Sequence, residues 1–403
     1  MATPKLRFKD FGEDWTAKKL SQVANLTSSK RVHLSDYVSE GIPFFRGKEI
    51  TELKSGIFPK DILYISKKQY EDFKEKFGAP QNNEILMTAV GTLANTYLIN
   101  TDFEFYFKDG NLIWFKDINA DPNFLMILLD ARKNDVLASA IGSTQKALTI
   151  ANLNKLIFNF PSNEEQTKIA SFLSVVDEKI SQLTQKHELL SQYKQGMMQK
   201  LFSQQIRFKA DDGSEFGEWE KTILGLTGKF IGGGTPSKEV AEFWQGSIPW
   251  ISSSDLVDES IFNINITRFI STDALNQSAT KLIPANSILI VSRVGVGKVA
   301  VTDRDICTSQ DFTNLVLSNG NAVFFGYSIK SLTGRLLEMN QGTSIKGFVK
   351  DDLSNLKVQI PSLEEQTKIA NFLSAIDQKI EIVAQQIEQA KQWKKGLLQQ
   401  MFV

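Results

Sequence analysis

PSNEEQTKIASFLSVVDEKI, residues 161 to 180, and PSLEEQTKIANFLSAIDQKI, residues 361 to 380, are identical at fifteen of twenty positions at an offset of 200. Chance does not supply such a match, so the chain is organised around an internal repeat. The echo weakens outward but does not stop. LRFK at 6 to 9 answers IRFK at 206 to 209, FGEDW at 11 to 15 answers FGEW at 216 to 219, and GSTQK at 142 to 146 answers GTSIK at 342 to 346. Downstream, YKQGMMQKLF at 193 to 202 pairs with WKKGLLQQMF at 393 to 402. The chain is a tandem duplication.

Each repeat predicts a long helix. Pro161 and Pro361 turn the preceding residue away from helix, Ser162 and Ser362 suit the N-cap, and Glu165 and Glu365 stand where a capping box needs them. Glu164 and Glu364 place charge where the exposed first-turn amides favour it. Apolar residues then alternate at spacings of four and three: Ile169, Leu173, Val176, Ile180 and Leu183, and Ile369, Leu373, Ile376, Ile380, Val383 and Ile387. A heptad seam requires a partner, and the simplest is the other helix, running antiparallel about a pseudo-twofold axis. His187, Lys194 and Lys394 interrupt the seam. They either fix register or carry their charged heads out to solvent, the second being preferred. Gly196 and Gly396 weaken the helices by roughly 1 kcal/mol each, and imply a bend, a close approach or a boundary.

Between these landmarks the halves share only an outline. GIPFF at 41 to 45 faces SIPWI at 247 to 251, and EILMTAVG at 84 to 91 faces SILIVSRVG at 287 to 295. Expected strands are Ile85 to Ala89, Tyr97 to Ile99 and Leu112 to Phe115, then Ile288 to Ser292, Lys298 to Val301 and Leu315 to Leu317. Residues 121 to 134 and 321 to 339 read as helices covering the sheets. The fold class is α+β: two mixed α/β-type globular domains in tandem at 1 to 160 and 204 to 360, each followed by a long helix, 161 to 203 and 361 to 403.

Composition narrows the function. A chain of 403 residues exceeds one ordinary core, and with 42% hydrophobic and 23% charged residues it falls among soluble globular proteins with no membrane partner. The sequence from Met1 to Phe11 does not read as a signal peptide, and the lone Cys307 suits a reducing cytoplasm. Two histidines, His33 and His187, exclude a His-rich metal site. Forty-six basic against 46 acidic residues argue against a protein that grips nucleic acid by charge alone, and leave room for a local reader or one working beside a more basic partner.

Polar residues suited to base edges and phosphates interleave with aromatics in the variable regions. Arg46 and Lys48 follow Phe44 and Phe45, Lys67 and Lys68 precede Tyr70, and Arg293 and Lys298 flank Gly295, with Gln310 and Asn314 beyond. Thr144, Gln145 and Lys146, and their counterparts Ser344 and Lys346, lie in Gly-turn loops suited either to phosphate contact or to a simple chain reversal. No catalytic constellation stands out. GVGKVA at 295 to 300 formally matches a dinucleotide loop but continues as a β-type run, and Ser292 replaces the first glycine of a phosphate-binding loop.

The two helix repeats, their YKQGMMQKLF and WKKGLLQQMF ends, and the SIPWISSSDL and SILIVSRVGVGK runs together resemble the specificity subunit of a type I restriction-modification system, over the whole chain. The resemblance implies a non-catalytic DNA-reading subunit whose two target recognition domains each read half of a bipartite, asymmetric site. Two antiparallel helices would fix the spacer. It implies double-stranded DNA, two modification subunits and two restriction subunits as partners, with S-adenosylmethionine, ATP and Mg held by those partners and no cofactor on this chain. The motif positions that match are Arg46 and Lys48, Thr144 to Lys146, Ser252, Ser253, Ser254 and Asp255, Arg293, Gly295, and Ser344 to Lys346. The helix seam would serve as ruler and docking surface. The competing readings are a free-standing bivalent DNA-binding protein and a coiled-coil scaffold with no role at DNA.

Overall fold

The computed structural model describes residues 4–339 and 347–402, with side chains described outside 334–339. They fall into two compact units. One takes the described residues up to Leu183 and those from Gln386 onward; the other runs Thr184–Gln385. Each unit therefore contains one globular region, part of one long helix and part of the other.

In the first unit the strands are β1 (Thr16–Lys19), β2 (Asn25–Thr27), β3 (Tyr37–Val38), β4 (Ile42–Phe45), β5 (Leu63–Ile65), β6 (Ile85–Thr88), β7 (Thr96–Leu98), β8 (Tyr106–Phe107), β9 (Leu112–Lys116) and β10 (Ile157–Phe160). They form one sheet in the order β2-β9-β6-β7, a second in the order β3-β5-β4-β8, and the pair β1-β10. The second unit has β11 (Glu220–Ile223), β12 (Gly228–Gly232), β13 (Ile248–Ile251), β14 (Arg268–Ile270), β15 (Leu282–Ile283), β16 (Ile288–Ile290), β17 (Val299–Val301), β18 (Ile306–Thr308), β19 (Thr313–Leu317) and β20 (Lys357–Ile360). Its sheets are β12-β19-β16-β17 and β14-β13-β18-β15, with the pair β11-β20. The first sheet has the same order in both units. The second keeps its parallel pair, β4 beside β8 and β13 beside β18, which lies at the edge of the sheet in the first unit and at its centre in the second. β6 and β16 are buried along their whole length, consistent with the unbroken apolar runs that predicted them.

The long helices run Asn163–Phe202 and Leu363–Met401. Ile169, Leu173 and Val176 are buried in one cluster with Trp15, Phe124 and Phe160 of the globular region and with Leu397, Met401 and Phe402 at the end of the second helix. Ile369, Leu373 and Ile376 do the same with Trp219, Phe324 and Leu201. Ile180 and Ile380 pack at the edges of these clusters, and Leu183, Val383 and Ile387 are also buried. The helices are antiparallel within each unit: Asp177 pairs with Lys394, and Asp377 with Lys194, both at 2.5 Å. The amphipathic stripe thus serves two partners, its own globular domain and the other helix, and the expected antiparallel pairing of the helices is present.

The repeated EEQ explains itself in the core. Ser162 and Ser362 accept from the amides of Glu165 and Glu365 at 3.3 and 3.4 Å. The glutamate side chains, however, are taken up by arginines from the LRFK and IRFK segments rather than by the N-cap. Arg7 donates from Nε and Nη2 to Glu165, both at 2.7 Å, and Arg207 to Glu365 at 3.1 and 2.7 Å. These pairs raise the pKa of both arginines. Gln166 and Gln366 each donate to the carbonyl of Pro161 or Pro361 at 2.9 Å and accept from the amide of Asp121 or Asn321. The near-identity of the two segments is therefore what locks each helix start onto its own domain.

Two sequence expectations change here. Lys194 does not reach solvent: its ammonium is buried between Asp377 and the carbonyl of Glu259, over the ring of Tyr327. Gly196 and Gly396 mark neither a boundary nor a close approach within the chain, since both helices continue past them and an added Cβ would meet nothing within 4 Å.

Candidate nucleic-acid interface

In each unit, the central strand of the second sheet ends in a turn built around a buried carboxylate. After β4, Arg46 caps the helix Gly47–Lys54, and its amide donates to Glu49 at 2.7 Å. After β13, Ser252 caps a single tight turn, Ser253–Asp255, and its amide donates to Asp255 at 2.7 Å. Glu49 is 1% and Asp255 8% exposed, and leaving either buried carboxylate without a partner would be costly.

The two halves supply that partner differently. Arg46 folds back on its own turn, donating from Nε at 3.2 Å and Nη2 at 2.5 Å to Glu49. Burial would raise the Glu49 pKa, but the hydrogen bonds from the Arg46 side chain and amide outweigh it and hold the group below its ordinary value. In the second half position 252 is serine, and the guanidinium comes from Arg268 on β14, which lies opposite Trp250 in the antiparallel register. Its Nη2 donates to Asp255, and to the Ser252 hydroxyl at 2.8 Å, while the guanidinium carbon sits 4.6 Å over the Trp250 ring.

Three further loops join each turn. The loop after the edge of the parallel pair is tied on by backbone bonds, Lys108 to Phe45 and Ser309 to Ile251, both 2.9 Å. The hairpin loop between β6 and β7 reaches the first turn through Asn95, which donates to the Thr51 hydroxyl at 3.0 Å. That between β16 and β17 reaches the second through Lys298, whose ammonium donates to the carbonyls of Leu256 at 2.9 Å and Ser253 at 3.4 Å. The fourth loop hangs on the third: Leu148 donates to Ala89 at 2.9 Å, and Phe348 to Ser292 at 2.7 Å. In the first unit it is closed by the bridge between Ile141 and Ala147, with Gly142 at a φ of +108° where an added Cβ would lie 2.3 Å from the Gln145 carbonyl. Glycine is required there by the turn itself.

The structure gathers some predicted residues on these loops and removes others. Arg46, Lys48, Thr144, Gln145, Lys146, Ser252, Ser254, Arg293 and Gln310 lie on them with at least part of their surface open. Gln310 accepts a hydrogen bond from Thr235. Ser253 is buried, and Lys298 is occupied in holding two carbonyls, so both support the loops rather than present donors. Asn314 is wholly buried, its amide bonded to Ile231 and Thr308, which corrects its reading as a base contact. Lys67 and Lys68 are exposed at the start of the helix Lys67–Phe77, after the end of β5 that pairs with Ile42, and so away from the Arg46 end of β4. Ser344 and Lys346 lie outside the described residues. Arg268 is absent from the sequence reading: it is sixteen residues beyond Ser252, and the only sequence signal is the chance to pair IPW with RFI as adjacent strands.

Chemically, each loop cluster offers hydroxyls, amides and a guanidinium beside a carboxylate. Among the described residues no cluster of three or more His, Cys, Asp or Glu is placed to hold a metal, and no helix is long and apolar enough to cross a membrane.

Comparison with known proteins agrees with the duplication. The family model described as type I restriction modification DNA specificity domain matches twice, at residues 12–192 and 217–392. The putative type I restriction enzyme MjaX specificity subunit of Methanocaldococcus jannaschii is 26% identical over 98% of this chain and 94% of its own length. The EcoR124I/EcoR124II specificity subunit of Escherichia coli is 36% identical over 40% of this chain and 41% of its own. Among solved structures, the S subunit of a type I restriction-modification system from M. genitalium superposes with a TM-score of 0.61 at 19% identity, covering 100% of this chain and 99% of that one.

Proposed function

The chain belongs to the type I restriction-modification DNA specificity family, and from that premise we propose that its two loop clusters read the two halves of one bipartite, asymmetric DNA sequence. The observation that carries this reading is one loop scaffold present twice with different side chains on it. The buried carboxylate and the loop anchors recur, whereas Arg46 is replaced by Ser252 and the AVGTL of 89 to 93 by the SRVGV of 292 to 296. A scaffold kept constant under a varied surface suits two different half-sites, with phosphate contacts for position and base contacts for sequence.

The long helices, forty residues in the case of Asn163–Phe202 and so about 60 Å long, would set the spacer between half-sites. The chain would carry no catalysis of its own, and would act in the cytoplasm with two modification subunits that use S-adenosylmethionine and two restriction subunits that use ATP and Mg. Because the seam residues from Ile169 to Val176 and Ile369 to Ile376 are buried within the chain, they are not available to partners. Docking falls instead to apolar side chains that the helices leave exposed, Val175 and Trp393 in one unit and Leu189, Tyr193 and Ile382 in the other.

The balance of 46 basic and 46 acidic residues suits a subunit whose partners supply much of the grip on phosphates, so tight specific binding is expected only in the assembled complex. The test is a genome-wide map of methyladenine in cells with and without the gene. Loss of a single split motif supports the reading; an unchanged map refutes it. Exchanging the two globular regions is expected to reverse the order of the half-sites.

A further inference from the structure

We infer that each half of the target contains a guanine read by a carboxylate-buttressed guanidinium, Arg46 in the first half and Arg268 in the second. This rests on the DNA-reading role above and names the residue and base through which it acts.

Two independent routes in the chain arrive at one arrangement. The carboxylates occupy matching places, third residue of the turn that follows the central strand, and both accept the capping amide at 2.7 Å. The arginines come from unrelated places, one from the cap itself and one from a neighbouring strand, yet both rest a guanidinium on that carboxylate and both remain partly open, with side chains 37% and 38% exposed. A purely structural cation has no reason to keep a third of its surface in solvent when the carboxylate beneath it is almost wholly buried. Nothing in the shared scaffold dictates arginine either, because position 46 is serine in the other half.

The donors left over fit a specific ligand. Arg46 bonds Glu49 through Nε and Nη2, and Arg268 bonds Asp255 and Ser252 through Nη2 alone; neither Nη1 has a partner among the described residues. Side-on pairing with Glu49 leaves Arg46 its end-on Nη1/Nη2 edge for two parallel acceptors, and in the major groove guanine presents such a pair in O6 and N7; Arg268 spends both Nη2 hydrogens on Asp255 and Ser252, so its end-on edge becomes free when the Ser252 hydroxyl gives way to the base. The buttress fixes the rotamer before binding, so less side-chain freedom is lost on contact. In the second half, stacking on Trp250 at 4.6 Å restrains the guanidinium plane further. A phosphate contact would use the same charge but would not distinguish bases.

The test uses the chain assembled with its modification subunits. The methylated motif is mapped in cells for the native chain and for Arg268→Ala, Arg268→Lys, Asp255→Asn and Arg46→Lys, and binding of the purified complexes is measured on duplexes carrying each single base change. With the native complex, replacing one guanine in the second half-site is expected to weaken binding roughly ten- to hundredfold. With Arg268→Ala or Arg268→Lys that replacement is expected to make almost no further difference, and the motif to relax at that one position while the first half-site is unchanged. Asp255→Asn should blunt the same discrimination, and Arg46→Lys should relax one guanine in the first half-site only. Arg268→Lys keeps the charge, so it decides the matter if Arg268→Ala fails to fold. Equal loss on every duplex, or a relaxed position that is not guanine, overturns the proposal while leaving DNA reading intact. A native complex that prefers no split sequence overturns the reading on which it rests.

Discussion

Truncating Asp377 should cost several times more stability than truncating Asp177, although the two residues occupy the same place in the repeat. Each faces a lysine of the antiparallel helix at 2.5 Å. Burial separates them. Asp377 is 7% and Lys194 11% exposed, and the carboxylate also accepts the Tyr327 hydroxyl at 2.5 Å; Asp177 is 50% and Lys394 28% exposed. Residue 127, the counterpart of Tyr327, is isoleucine and offers no hydroxyl. Asp377→Ala strands an ammonium and a phenol in the interior, a loss of about 3–5 kcal/mol, whereas Asp177→Ala removes a solvent-screened pair worth about 0–1 kcal/mol. Replacing Asp377 and Lys194 together by Leu and Met should recover much of the loss, because no unpaired charge remains. Urea unfolding of the full chain, followed by fluorescence, measures the three variants against the native chain. The reasoning fails if the two aspartate variants differ by less than about 1 kcal/mol, or if the double substitution is no more stable than Asp377→Ala.

Other outcomes follow from single groups. Cys307 is fully buried, and burial pushes its thiol up to about 11, so Ellman's reagent at pH 8 should label it only after unfolding; rapid labelling of the native chain would contradict its place in the sheet. Gly196→Ala and Gly396→Ala should each stabilise the chain by about 1 kcal/mol in thermal or urea unfolding, since the new methyl meets nothing. Burial, and then Asp377, raise the Tyr327 pKa above its ordinary value of about 10. The unfolded phenol therefore ionises first: this contribution is complete below about pH 10 and declines above it by up to ~1.4 kcal/mol per pH unit. Tyr327→Phe should flatten the fall in stability between pH 10 and 11, and an unchanged slope would show that the hydroxyl is not buried beside the carboxylate.

What was readable in the sequence was whatever is encoded locally. Helix starts at Pro161 and Pro361 and the apolar runs at 85 to 88 and 288 to 290 each carry their cause within a few residues, and the structure places elements there. The roles of polar residues were less readable, because they are set by partners far along the chain. Glu165 looks like a capping-box residue until Arg7, 158 positions away, takes its carboxylate. Lys298 looks like a free cation until two carbonyls from the neighbouring turn reach it, and Arg268 looks like an ordinary strand residue until Trp250 and Asp255 surround it. Lys194 interrupts a heptad for a reason visible only once Asp377 and Tyr327 are beside it. The repeat itself helped, since Glu165 and Gln166 and their matches at an offset of 200 proved to be interior locks, whereas Arg46 and Ser252, which differ, lie on the loops.

Residues from Gln386 onward belong to the same unit as those before Thr184, with Phe402 against Trp15 and Phe124 and the Leu6 amide bonded to Gln400. The other unit is continuous. During synthesis the domain translated second of the two can therefore finish folding first, while the domain translated before it waits, with part of its core uncovered, for the residues from Gln386 onward. A stop that removes the last turns of the second helix would strike hardest at the domain translated first of the two.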